Sequence, residues 1–191
     1  MRAIYYDRQS AADDVLILGN LPTPSPKAGD VLVRVHMSGV NPTDMKARTG
    51  FSSAMPYERI IPHQDGAGVI EAVGMGVPAS RIGERVWIFE AQAGRAEGTA
   101  ADYVVVPSAN AVPLPATTSY EIGASLGIPA LTAHRCLFAD GDLKGRRVLV
   151  HGGAGWSDRP RSISPNGRER GLRRRSANRS TRQSHVKLEL I

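Results

Sequence analysis

The sequence predicts a barrel-like β domain that runs into the start of an α/β domain. Three observations carry this expectation. Residues 1–117 hold many short apolar runs divided by Gly and Pro turns, the pattern of a small all-β domain. At Thr118 the apolar period changes to a helical one. Val148-Leu149-Val150 then stops at glycines, as a buried parallel strand does before a turn whose following helix holds a phosphate at its N-terminus.

Taken in order, residues 1–6 (MRAIYY) predict a first strand. Residues 30–40 predict another, with Val31, Val33 and Val35 on one face and Arg34 and His36 on the other. NPTDMKARTG, residues 41–50, predicts a Pro-initiated turn and one helical turn. Residues 60–68 (IIPHQDGAG) are expected to be a loop, and 69–73 (VIEAV) a strand closed by Gly74. Residues 84–89 and 99–106 predict two further strands, with residues 107–115 leading out. Thr118 and Glu121 have capping-box spacing and predict a short helix to Gly127. Residues 130–139 predict a second helix, carrying Leu131, Leu137 and Phe138. The domains expected are therefore 1–117, 118–155 and a separate segment, 156–191.

Composition excludes several classes. An apolar fraction of 41% is adequate for a core, and a single cysteine excludes a disulfide framework or a Cys-rich zinc site. The first residues lack the apolar stretch of a signal peptide, and no apolar run is long enough to cross a bilayer. The expected setting is soluble, reducing and cytoplasmic, with no membrane partner. The net charge of +6 is unevenly placed. Residues 1–155 carry 14 Lys+Arg against 15 Asp+Glu, and residues 156–191 carry 10 against 3.

Six segments in register, GDVLVRVHMSGVNPTDMKARTG, IPHQDGAGVIEAVG, RIGERVW, GTAADYVVVP, IPALTA and LKGRRVLVHGGAG, resemble the medium-chain dehydrogenase/reductase superfamily. Within it they resemble the zinc-independent quinone oxidoreductase (ζ-crystallin-like) branch. The resemblance implies a GroES-like barrel over 1–117, followed at 118–155 by the opening helices, first strand and glycine turn of a Rossmann domain. It also implies NADPH as cofactor and hydride transfer to a small-molecule quinone or enone. Its members are often homodimeric.

The same resemblance implies site residues. Asn41 is expected to position cofactor or substrate; its simpler reading is an Asn-Pro turn former. Thr132 matches a cofactor-facing threonine, and Gly152, Gly153 and Gly155 match the turn that lets a pyrophosphate approach. Asp44 reads as a helix cap. The zinc branch places Cys where Asn41 stands and a His–Glu pair where Gln64 and Asp65 stand. His63 is displaced by one residue, so no metal is expected. A zinc-type alcohol dehydrogenase is therefore the weaker reading.

Residues 156–191 break the pattern. As a selected segment they would be a disordered Arg/Ser-rich tail, and the chain a non-catalytic module binding nucleic acid non-specifically. As an out-of-frame translation they make better sense. Rebuilding each codon from the last base of one residue and the first two of the next, Trp156–Ser157 gives valine and Ser157–Asp158 accommodates glycine. Continued to Gly171, the tail accommodates VGSAAIHLAKWAGAR, the missing turn and amphipathic helix. Residues 187–191 accommodate AGAD. The sequence thus reads as an oxidoreductase interrupted after Gly155.

Overall fold

The computed structural model describes residues 1–150 and 188–190. The chain divides into two units, Met1–Ile128 and Pro129–Ile191. In the first unit β1 (Arg2–Tyr5) and β2 (Ile17–Asn20), joined through the four-residue helix α1 (Ala12–Val15), form an antiparallel ribbon. The main sheet contains β3 (Asp30–Gly39), β4 (Asp65–Val73), β5 (Arg85–Ile88), β6 (Tyr103–Pro107) and β7 (Ala111–Pro113), in the order β6-β3-β4-β5-β7. Every pairing is antiparallel. Helix α2 (Pro42–Arg48) follows β3, and α3 (Tyr120–Gly123) follows β7.

Alternation builds the core as expected. Val31, Val33, Ile70, Val86, Ile88, Val104 and Val106 are fully buried and pack as one cluster, whereas Arg34 and His36 face outward. The β-branched side chains suit a pleated, half-buried surface. A smaller cluster of Tyr6, Val15 and Ile60 packs separately. The register between β3 and β4 shifts between Val35 and Met37. This bulge sets Ser38 opposite Gly66 and Gly39 opposite Asp65, and bulges re-aim the strand beyond them.

Several expected boundaries move. β4 begins at Asp65, inside the stretch expected to be a loop. Its glycines mark close approach rather than a turn: a Cβ on Gly68 would stand 2.0 Å from the Arg34 carbonyl oxygen. β6 begins at Tyr103, later than expected, and the way out of it holds the short strand β7. The cap of α3 is Ser119, not Thr118; the Ser119 hydroxyl accepts the Ile122 N–H at 3.4 Å. The helix stops at Gly123, and the chain turns through Leu126–Ala130, where Gly127 is non-helical.

α3 belongs with the barrel because its side chains do. Ala124 packs with Ala67 and Leu114. Tyr120 stacks on His36, ring centroids 4.4 Å apart, and the Arg85 guanidinium lies 4.2 Å from the Tyr120 ring centre. The first compact unit thus runs on to Ile128.

The second unit contains α4 (Leu131–Phe138), β8 (Val148–Val150) and β9 (Leu188–Leu190). β8 was expected to join a parallel sheet. Its partner among the described residues is antiparallel β9, with Val148 opposite Leu190 and Val150 opposite Leu188. The glycine turn at Gly152, Gly153 and Gly155 lies outside the described residues.

Ile70→Ala removes a side chain with no exposed surface. It should destabilise the first unit by about 2–5 kcal/mol, read by chemical denaturation with an unchanged native spectrum.

Candidate functional site

The end of β3, the start of α2 and the start of β4 converge on one carboxyl group. Asn41 is the N-cap of α2, with Pro42 at the first helical position, where a missing N–H costs nothing. Its backbone N–H donates to Asp44 Oδ2 at 2.6 Å, and its carbonyl accepts the Asp44 N–H at 3.0 Å. Asp44 thus has the capping role that the sequence suggests, as the third helical residue whose carboxyl bonds back to the N-cap. The Asn41 side chain points inward and donates from Nδ2 to Asp65 Oδ2 at 2.8 Å. The same oxygen accepts the Ile128 N–H at 2.8 Å.

Asp65 has no exposed surface, and no cation pairs with it among the described residues. Asn41 Oδ1 and Asp65 Oδ1 are both buried without a hydrogen-bond partner. Two close approaches depend on glycine here. A Cβ on Gly127 would lie 2.1 Å from Asp65 Oδ1, and one on Gly39 would lie 2.4 Å from the Ala124 carbonyl oxygen and 3.0 Å from the Asp65 Cβ. Burial raises the Asp65 pKa above the ordinary carboxylate value, against the two donors that favour its charge. Burial, aided by the nearby Asp65, pushes Asp44 up to about 6, against its bond from the Asn41 N–H.

A second polar chain runs beside this one. Thr99, also fully buried, donates its hydroxyl to the Asp65 carbonyl. Ser38 Oγ lies 2.8 Å from Thr99 Oγ1 and 2.8 Å from His63 Nδ1. His63 adopts φ +82°, a left-handed conformation uncommon for a side-chain-bearing residue. Burial lowers its pKa, which favours the neutral ring.

The expected site residues fare unevenly. Asn41 sits at the centre of the first cluster. Thr132 is exposed at the second position of α4, in the second unit. The three glycines lie outside the described residues. Sequence reasoning passed over Asp65, Ser38 and Thr99 as participants. The available signal was Asp65 itself, a lone acid in the apolar and glycine-rich stretch IIPHQDGAGVI. Among the described residues no three His, Cys, Asp or Glu side chains converge as a metal ligand set.

Residues 27–116 match the alcohol dehydrogenase GroES-like domain, the class that the five-stranded antiparallel sheet defines. The rat (Rattus norvegicus) quinone oxidoreductase is 36% identical over 156 residues, which is 81% of this chain and 46% of that protein. A mycobacterial quinone oxidoreductase of known structure is similar with a TM-score of 0.71 at 31% identity, over 83% of this chain and 47% of that one. A mycobacterial protein solved with NADPH is similar with a TM-score of 0.61 at 28% identity, over 72% of this chain and 39% of that one. Over four fifths of its length the chain is similar to quinone oxidoreductases, and the GroES-like match spans the main sheet of its first unit. It spans under half the length of the curated relatives it matches.

Two outcomes follow from the carboxyl geometry. Gly127→Ala should cost about 1–3 kcal/mol or more, because the new methyl group must displace the Asp65 carboxyl; the thermal midpoint reads it. Asp44 titrates higher in the folded protein than unfolded, so the folded state takes up a proton that the unfolded chain does not between about 6 and 3.8. Its contribution to stability therefore increases as pH falls through about 6. The lowered pKa of His63 acts in the opposite sense over the neighbouring range. Asp44→Asn isolates the carboxyl: relative to the variant, the wild type should gain stability between pH 7 and pH 5.

Proposed function

We propose that residues 1–155 come from an NADPH-dependent oxidoreductase that reduces a small-molecule quinone or enone by hydride transfer without zinc. We also propose that this chain is a non-functional fragment whose residues after Gly155 are read out of frame. One observation carries the first part. Where a zinc-type relative would place a thiolate, Asn41 caps α2 and turns its amide into Asp65. Asp65 in turn is committed to two N–H donors. These oxygen and amide groups position backbone; they are not the thiolate and imidazole set that a catalytic zinc takes.

NADPH supplies the hydride when bound, and the protein's task is orientation and polarity. Thr132, exposed near the start of α4, would offer a hydroxyl to the cofactor. Gly152, Gly153 and Gly155 would let the pyrophosphate approach the backbone. Asn41 would act at the substrate end by holding α2 against β4. The chain's own residues for ribose and adenine are those that the shifted frame replaces. Supporting this, relatives match over 81% of the chain, and the remainder has the size of the basic segment 156–191.

Fluorescence titration of the full chain with NADPH should show no micromolar binding, whereas a chain with the frame restored after codon 155 should bind. Micromolar binding by the present chain, or a nucleotide sequence across codons 150–160 that cannot yield the restored frame, defeats the fragment reading.

A further inference from the structure

The hydrogen bonds around His63 have only one arrangement in which every contact carries a proton. The Thr99 hydroxyl has a single hydrogen, and that hydrogen goes to the Asp65 carbonyl, which can only accept. Thr99 Oγ1 must therefore accept from Ser38, 2.8 Å away. The single Ser38 hydrogen is thereby used, so Ser38 Oγ accepts from His63 Nδ1 at 2.8 Å. The chain runs one way: His63 Nδ1–H to Ser38, Ser38 to Thr99, Thr99 to the carbonyl of Asp65.

This direction has two chemical consequences. Ser38 is not a nucleophile activated by His63, because the imidazole nitrogen facing it is a donor and not a base. The other ring nitrogen, Nε2, is then the bare, proton-accepting one. It has no hydrogen-bond partner among the described residues and is not among the buried unpartnered atoms. The ring's place is built rather than incidental. His63 holds φ +82°, and its carbonyl accepts the Thr99 N–H at 3.0 Å. Side chain and main chain of His63 are both tied to the Ser38–Thr99 pair.

We propose that His63 is a specificity-determining residue whose Nε2 accepts a hydrogen bond from a hydroxyl of the reduced, hydroquinone form of the substrate. Ser38 is the positioning residue that fixes the tautomer. This rests on the quinone reading of the function. A quinone carbonyl only accepts, so it meets a lone pair at Nε2, whereas a hydroquinone donates to it. The site then distinguishes the two redox forms of one ring by a single proton, independently of the nicotinamide.

The test is nitrogen-15 spectroscopy of the full chain's histidines at pH 7.5, without oxygen, using durohydroquinone and duroquinone as probes. The His63 signal, assigned by its loss in His63→Gly, should show the proton on Nδ1. Glycine accepts the positive φ, so that variant adds no backbone strain, and an unchanged native circular-dichroism spectrum checks its fold. Ser38→Ala should release the tautomer and move part of the proton to Nε2. Durohydroquinone should shift the bare Nε2 resonance saturably, duroquinone should not, and His63→Gly should weaken hydroquinone binding at least tenfold. A proton on Nε2, an unaltered tautomer in Ser38→Ala, absence of a hydroquinone shift, an equal response to both probes, or full binding by His63→Gly overturns the proposal. The NADPH titration reads a different part of the chain, so failure there and failure here are told apart.

Discussion

The buried carboxyl of Asp65 is the constraint around which the first unit is arranged. It begins β4, takes the Asn41 amide and the Ile128 N–H on one oxygen, and leaves the other against Gly127. Three stretches far apart in sequence are thereby held at one point: the start of α2, the start of β4 and the turn after α3. A carboxyl buried without a cation opposes folding unless donors satisfy it. Two donors do so here, and its raised pKa shows that they only partly offset burial. Shape enforces the arrangement as much as energy, since neither Gly39 nor Gly127 leaves room for a methyl group. An apolar residue at position 65 would fill the space but would leave the Asn41 amide and the Ile128 N–H without acceptors.

The strands were legible where alternation was clean. Val31, Val33 and Arg34 gave β3 its faces, and the run at 84–89 gave β5. The start of β4 was hidden because Gly66 and Gly68 look like turn residues in a sequence. They are small because a neighbouring strand passes within contact distance, and that cause is tertiary. β7 was hidden because Pro113 breaks the apolar run. The α3 cap was misplaced by one residue because Thr118 and Ser119 are chemically equivalent caps, and only the Pro115 turn, which takes the Thr118 N–H, decides between them.

The site was legible at its edges and not at its centre. Asn41 and Asp44 announce themselves through Asn-Pro and helix-start chemistry. Asp65 announces itself only once β4 is known to begin there, because an acid in a loop is solvated whereas an acid opposite Gly39 in a sheet is not. The His63–Ser38–Thr99 chain joins residues 25 and 61 positions apart, so no local pattern could reveal it. The bulge between Val35 and Met37 decides that Ser38 lies opposite Gly66, and register of this kind is set by pairing rather than by composition.

The main sheet has a temporal consequence. All five of its strands lie between Asp30 and Pro113, yet β6 must travel back to pair with β3, and such long-range pairing is slow to form. During synthesis the last strand is nevertheless complete well before the ribosome reaches Gly155, and domains fold as units from the N-terminal side. The barrel therefore commits to its structure from residues already made, whatever is encoded afterwards. On the proposed reading, a frame error after Gly155 would replace the residues that follow while leaving the sequence of the main sheet untouched, and a cell's quality control would meet an intact sheet joined to a foreign end.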